Sequence, residues 1–136
     1  MHQFSLFASD LDGVLLGSRA AAQAFHQCWS DLPDEERPLL CVASGRRLKD
    51  VQRALRMAGL PQPDYIISGL GTSIYDCSQR LVLKAFAQIL EEEWDLEQVD
   101  QIVREATHAE KKAPQHQGPY KSTWYWEGAT VEDVDI

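Results

Sequence analysis

The chain has 136 residues, 44% of them hydrophobic, which suits one domain of ordinary size with a real core. No apolar run approaches the ~20 residues that span a bilayer, and no basic segment leads an apolar one at the N-terminus, so neither a membrane span nor a signal peptide is expected and the cytoplasm is the expected compartment. A net charge of −8 argues against nucleic acid, which demands basic patches to neutralise phosphates. The charge is uneven. Residues 1–90 hold nine acids and nine bases, whereas residues 91–136 hold twelve acids and four bases. The break near residue 90 suggests a change of module, and the acidic second part reads as a solvated surface.

In chain order, Phe4–Ala8 predicts a short buried strand. Ser18–Trp29 predicts a helix, alanine-rich and opened by a capping serine. Residues 31–38 carry two prolines and form a loop. LLCVAS is a second apolar run of strand length, with Cys41 in it as a core residue. The next segment repeats Leu48, Val51 and Leu55 at helical spacing and stops at Gly59 and Pro61. Asp64–Ser68 is a third strand, Gly69–Thr72 a tight loop, and Ser73–Asp76 with Arg80–Lys84 a hairpin. Phe86–Trp94 and Asp95–Ala109 predict helices, the second capped by Asp95. Lys111–Gly118 is a polar loop and Pro119–Trp126 an aromatic strand, followed by an acidic end with Val131, Val134 and Ile136. Apolar strands alternating with helices imply an α/β fold, a Rossmann-like parallel sheet with flanking helices wound by right-handed crossovers. Cys28, Cys41 and Cys77 match no zinc or redox spacing and read as reduced structural thiols. The four histidines show no ligand spacing, and Trp124 and Trp126 read as core ahead of a sugar platform.

Asp10-Leu11-Asp12-Gly13 closes the first strand. In open α/β sheets, ligands bind at the carboxyl ends of the strands. In extended chain, residues i and i+2 point the same way, so Asp10 and Asp12 would face one small volume. Two close carboxylates call for a cation, such as Mg²⁺, or for a shared proton that makes one a nucleophile and the other an acid. A plain turn uses the same residues. Repetition favours a site: the second strand ends in Ala43-Ser44-Gly45-Arg46, and the third in Ser68-Gly69-Leu70-Gly71-Thr72. A helix start after Ser44 offers free N–H groups to a phosphate.

These residues resemble the haloacid-dehalogenase-like (HAD-like) hydrolase superfamily. Asp10–Gly13 matches its first motif and Ser44 its second. PDYIISGLGTSIYD resembles the sucrose-phosphate phosphatase branch, and QGPYKSTWYW the entry to that branch's cap, of type IIB. The resemblance implies a partial HAD-like core over residues 1–85 and the beginning of an α+β cap over residues 86–136. It implies that Asp10 is the nucleophile forming an aspartyl-phosphate and a Mg²⁺ ligand. Asp12 would be the general acid–base, with its backbone carbonyl on the metal, and Ser44 would hydrogen-bond the phosphoryl group. Gly45, Arg46, Gly71 and Thr72 would line the substrate mouth, and Gln117 and Lys121 would reach the sugar.

The chain also departs from that pattern. Val14 stands where the family usually has Thr, and no later lysine and Gly-Asp motif follow within 136 residues, so the chain reads as truncated. The expectation is therefore a Mg²⁺-dependent sugar-phosphate phosphatase acting on a sucrose 6-phosphate-like substrate, in part or reduced form. The alternative is a non-catalytic HAD-like module that binds a phosphosugar, regulates or interacts. The expected partners are a small sugar phosphate and, through an open sheet edge, a second copy or a missing C-terminal half.

Overall fold

A computed structural model of the chain describes residues 5–130 and residue 133. Phe4, Val131, Val134 and Ile136, named above, lie outside the described residues. The chain divides into two compact units, Met1–Gln88 and Ile89–Ile136. The boundary expected from the resemblance, between residues 85 and 86, falls inside helix α3 (Lys84–Glu93), which also runs across this division.

In the first unit, β1 (Leu6–Asp10), α1 (Arg19–Asp31), β2 (Leu39–Ala43), α2 (Leu48–Ala58) and β3 (Tyr65–Ser68) alternate, followed by β4 (Ser73–Asp76) and β5 (Leu81–Val82). The described strands form a sheet in the order β1-β2-β3-β4-β5, parallel through β3 and antiparallel beyond it. Local signals set the boundaries. Ser18 caps α1 by accepting from the Ala21 N–H at 3.1 Å. Gly59 ends α2 in the left-handed region, with φ 67°, where glycine carries no Cβ penalty. The hairpin turn between β4 and β5 is held by Asp76, whose Oδ1 accepts from Ser78 N–H, Gln79 N–H and Ser78 Oγ–H. The expected hairpin is therefore present.

The core lies between the sheet and the two helices. Leu11, Leu40, Val42, Val51 and Ile66 are fully buried, with Leu15, Ala22 and Leu55 beside them. Phe7, Phe25 and Trp29 pack their rings at centroid separations of 5.6–5.8 Å, tying β1 to α1. β1 is the edge strand, and Leu6 and Phe7 remain 53% and 41% exposed, so the strand that carries Asp10 has an unpaired side among the described residues. β1 also begins and ends two residues later than its sequence suggests, so Asp10 is itself the last strand residue. The register sets Asp10 opposite Ala43 and Ala43 opposite Ile67, which levels the three strand ends that carry the polar motifs.

In the second unit, α4 (Leu96–Ala106) starts at Asp95, whose carboxylate accepts from the Gln98 N–H at 3.0 Å. β6 (Glu110–Lys111) pairs antiparallel with β7 (Trp124–Tyr125). The expected strand over Pro119–Trp126 is thus reduced to two residues, and the expected polar loop begins with a strand. The reason is a reversal: Gly118 and Lys121 bond each other's backbone at 3.3 Å, and Pro119 has no N–H to give a ladder. Asp100 on α4 is the buried polar centre of this unit. It accepts from Ser122 Oγ at 2.6 Å and from the Lys111 ammonium, with Arg104 at 3.7 Å. Ser122 Oγ in turn accepts from Trp124 Nε1 at 2.7 Å.

The Lys111 hydrogen bond, then that of Ser122, holds the Asp100 carboxyl below its usual range, against the opposing effect of burial. A depressed folded-state value means that the stabilisation is complete above the unfolded value, about 3.9, and is lost as pH falls through the lower folded value. Asp100→Asn is expected to remove that part of the acid sensitivity while lowering stability at neutral pH. Acid titration followed by tryptophan fluorescence of wild type and variant checks this. An unchanged acid limb in the variant would contradict it.

Candidate active site

The site grows from three adjacent strand ends. After Asp10, Leu11 turns fully into the core and anchors the chain. The Leu16 N–H then reaches back to the Leu11 carbonyl at 2.9 Å, closing a wide π-type turn. Gly13 sits at φ 77° inside this turn, a conformation that costs most other residues about 1–2 kcal/mol. Asp12 just before it is extended, with φ −80° and ψ 123°. The turn delivers the Asp12 carboxylate to the end of β2.

There it meets Ser44 and Arg46. The buried Ser44 hydroxyl donates to Asp12 Oδ2 at 2.9 Å and accepts from the Arg46 N–H at 3.2 Å. Arg46 forks onto the same carboxylate: Nε donates to Oδ1 at 2.9 Å and to Oδ2 at 3.1 Å, and Nη2 donates to Oδ1 at 2.6 Å. This is the paired geometry in which a guanidinium binds a carboxylate best. Both side chains are 45% exposed, so the pair lies at the surface and water screens it. The Arg46 hydrogen bond is the main cause that holds the Asp12 carboxyl below its usual range. Burial opposes it, and the Ser44 bond and the Arg46 charge support it. Asp12 is therefore stored as the anion.

The β3–β4 loop completes the arrangement. Ser44 N–H donates to the Ile67 carbonyl at 2.9 Å, and Gly69 N–H to the Arg46 carbonyl at 2.9 Å. Gly69, Leu70 and Gly71 are all left-handed, and Thr72 Oγ1 donates to the Gly69 carbonyl at 3.0 Å. A Cβ on Gly45 would come within 2.9 Å of Leu70 Cδ2, so glycine lets the two loops close on each other. Asp10 stands apart in its chemistry. Its carboxylate is exposed and has no hydrogen bond or ion pair with any described residue.

The structure thus brings Asp12, Ser44 and Arg46 into direct contact, and places Asp10, Gly45, Gly71 and Thr72 on the same three strand ends. Gln117 and Lys121 belong to the second unit. The Gln117 amide is fully engaged there, donating to the Lys112 and Thr123 carbonyls at 2.6 and 2.9 Å and accepting from the Thr123 N–H at 2.8 Å. The Lys121 ammonium has no partner among the described residues. The Arg46 contact with Asp12 spans 34 positions and has no local sequence signal beyond the arginine that follows Ser44-Gly45.

A bound magnesium ion commonly takes one or two protein carboxylates and fills its remaining octahedral positions with water and phosphate oxygens. No group of three or more acid, histidine or cysteine side chains placed to hold a metal ion occurs among the described residues. Asp10, uncommitted and at the strand edge, fits that sparse mode. The Asp12 carboxylate, held by Arg46, leaves only its backbone oxygen for such an ion.

The Sucrose-6F-phosphate phosphohydrolase family profile matches residues 3–135. The chain belongs to this family. A mannosylfructose-phosphate phosphatase of Agrobacterium fabrum is 32% identical over 125 residues, covering 92% of this chain and 50% of that protein. A HAD-like hydrolase of Nitrosococcus oceani is 28% identical over 132 residues, covering 92% of this chain and 36% of that protein. Among solved structures, the sucrose-phosphatase of Synechocystis sp. PCC6803, in complex with sucrose and phosphate, superposes with a TM-score of 0.81 at 24% identity. That match covers 98% of this chain and 53% of the other. The α/β fold is therefore that of the HAD-like hydrolases. The chain spans about half the length, or less, of the relatives it matches.

Ser44→Ala would strip Asp12 of one donor and leave the Arg46 N–H without its acceptor. A loss of about 1–3 kcal/mol in folding stability is expected, read from urea melts followed by circular dichroism. Ser44→Thr, which keeps the hydroxyl, is expected to retain most of it. Equal losses in the two variants would contradict the role of the hydroxyl.

Proposed function

We propose that this family member works as a phosphomonoester hydrolase on a phosphorylated sugar of the sucrose 6-phosphate or mannosylfructose-phosphate class. One observation carries the reading: an uncommitted carboxylate, Asp10, stands beside a second, Asp12, that Ser44 and Arg46 hold in place at the level ends of three strands. Asp10 attacks phosphorus and the ester oxygen leaves. The phosphoryl group rests on Asp10 as an acyl phosphate until water releases it. The N–H groups that open the following helix would face the transferring oxygens, and the Ser44 hydroxyl would join them by turning its one proton away from Asp12.

Asp12 has the proton work. As the stored anion it takes a proton from the attacking water. To protonate the departing sugar oxygen it must first carry a proton, and the Arg46 fork opposes that state. Arg46 must therefore loosen from Asp12 when substrate arrives, and the incoming phosphoryl oxygens offer it an alternative anion. A Mg²⁺ ion held by Asp10 and the Asp12 backbone oxygen would neutralise charge on the phosphoryl group. In the second unit, Lys121 is the candidate sugar contact. Gln117 would have to release three hydrogen bonds to take that role.

The closed Arg46 fork on Asp12, which opposes the protonated carboxyl that the departing oxygen requires, favours a second reading, a phosphosugar-binding or regulatory module without turnover. Phosphate release from sucrose 6-phosphate with Mg²⁺, by this chain and by Asp10→Asn, separates the two. The phosphatase reading expects release that falls to background in the variant, with the fold unchanged by circular dichroism. Saturable binding of sucrose 6-phosphate without release by the folded wild-type chain would establish the module instead.

A further inference from the structure

Helices α1 and α2 face each other across an open groove of about 1250 Å³. Its α1 wall is a single helical face built from Arg19, Ala22, Gln23 and His26, at the spacing of one helix side. The small side chains of Ala22 and Ala54 leave room between the walls. Four guanidiniums line the groove, those of Arg19, Arg46, Arg53 and Arg56, against one carboxylate, Asp50. The groove is thus strongly cationic in a chain of net charge −8. The guanidiniums of Arg19, Arg53 and Arg56 have no hydrogen bond or ion pair with any described residue. Arg46 is the exception, because it also grips Asp12.

An open cleft lined by one sign of charge concentrates ions of the other sign. Guanidinium forks favour phosphate oxygens, and glutamine and histidine side chains suit hydroxyls. The groove is ample for a phosphorylated monosaccharide with its water. β1, β2 and β3 are parallel, so α1 and α2 run in the same direction. Arg19, at the start of α1, and Arg46, just before α2, therefore mark the same end of the groove, the end nearest the carboxylates.

We propose that the α1–α2 groove is a second binding site, separate from the Asp10 site, for a phosphorylated polyhydroxy ligand, and that its occupancy draws Arg46 away from Asp12. The phosphate lies toward Arg19, Arg46 and Arg53, and the hydroxyls toward Gln23 and His26. Nε and Nη2 of Arg46 are both committed to Asp12, so a phosphate in the groove that takes this edge of the guanidinium competes with the Asp12 carboxylate for it. By linkage, anything that loosens the pair from the Asp12 side strengthens binding in the groove. The release of Asp12 gains catalytic meaning only through the phosphatase reading, whereas the binding itself does not depend on turnover.

The test is a titration of the Asp10→Asn chain with glucose 6-phosphate, followed through the arginine Nε–H resonances, with glucose as the uncharged control. The expected result is saturable, simultaneous shifts of Arg19, Arg46 and Arg53, none of them produced by glucose. Arg53→Ala is expected to weaken the affinity by about tenfold or more, the worth of a charged hydrogen bond, with Arg53→Lys recovering part of it. Asp12→Asn is expected to tighten binding. Shifts confined to Arg46 and indifferent to Arg53→Ala would mean that the ligand sits only at the carboxylates, and would overturn the proposal. So would no saturable shift, or equal binding of glucose. Because Asp10→Asn does not turn over, the outcome is independent of whether the wild-type chain releases phosphate.

Discussion

One surface ion pair organises the first unit's functional edge. Asp12 comes from the turn after β1, Arg46 from the turn after β2, and Ser44 bridges them with its single hydroxyl. The backbone of the same two residues then holds the β3 end, through Ile67 and Gly69. Three strand ends that would otherwise be independent loops become one rigid rim. The ion pair alone stabilises little, because solvent screens it. Its effect is positional: it fixes where the second carboxylate stands and which protonation state it holds.

That arrangement gives Asp10 and Asp12 different chemistry despite identical side chains and near-identical sequence context. Asp10 ends a strand and meets no partner among the described residues, so it keeps its lone pairs for an incoming group. Asp12 is engaged on both oxygens. Two carboxylates separated in this way can share one reaction as nucleophile and proton carrier. The groove between α1 and α2 reaches the same pair through Arg46, which links the face of the sheet covered by the helices to its reactive edge.

Much of the fold is legible in the sequence because its signals are local. Ser18, Asp95 and Gly59 act within one helical turn, and each cap is found where the residue type places it. The hairpin after β3 is legible for the same reason, since Asp76 closes its own turn. Long-range partnerships are not legible. Nothing near Arg46 says that its guanidinium folds back across 34 positions, and nothing near Gln117 says that its amide clips a hairpin. The aromatic run of residues 119–126 is β-prone at Tyr120 and from Thr123 to Trp126. The Gly118–Lys121 reversal overrides it, since a closed turn satisfies those backbone groups before a ladder can. Asp100 is the largest omission. An acid on an amphipathic helix reads as solvated, and only the chain's return at Lys111 and Ser122 makes it a buried centre.

The most direct test of the central claim is chemical trapping of the residue that carries the phosphoryl group. The chain is mixed with sucrose 6-phosphate and Mg²⁺, quenched, and treated with borohydride, which reduces an acyl phosphate to the alcohol. Peptide mass spectrometry then locates the product. The account predicts homoserine at position 10, absent without substrate. Homoserine at position 12, or at neither position in a sample that is releasing phosphate, would contradict the roles assigned to the two carboxylates.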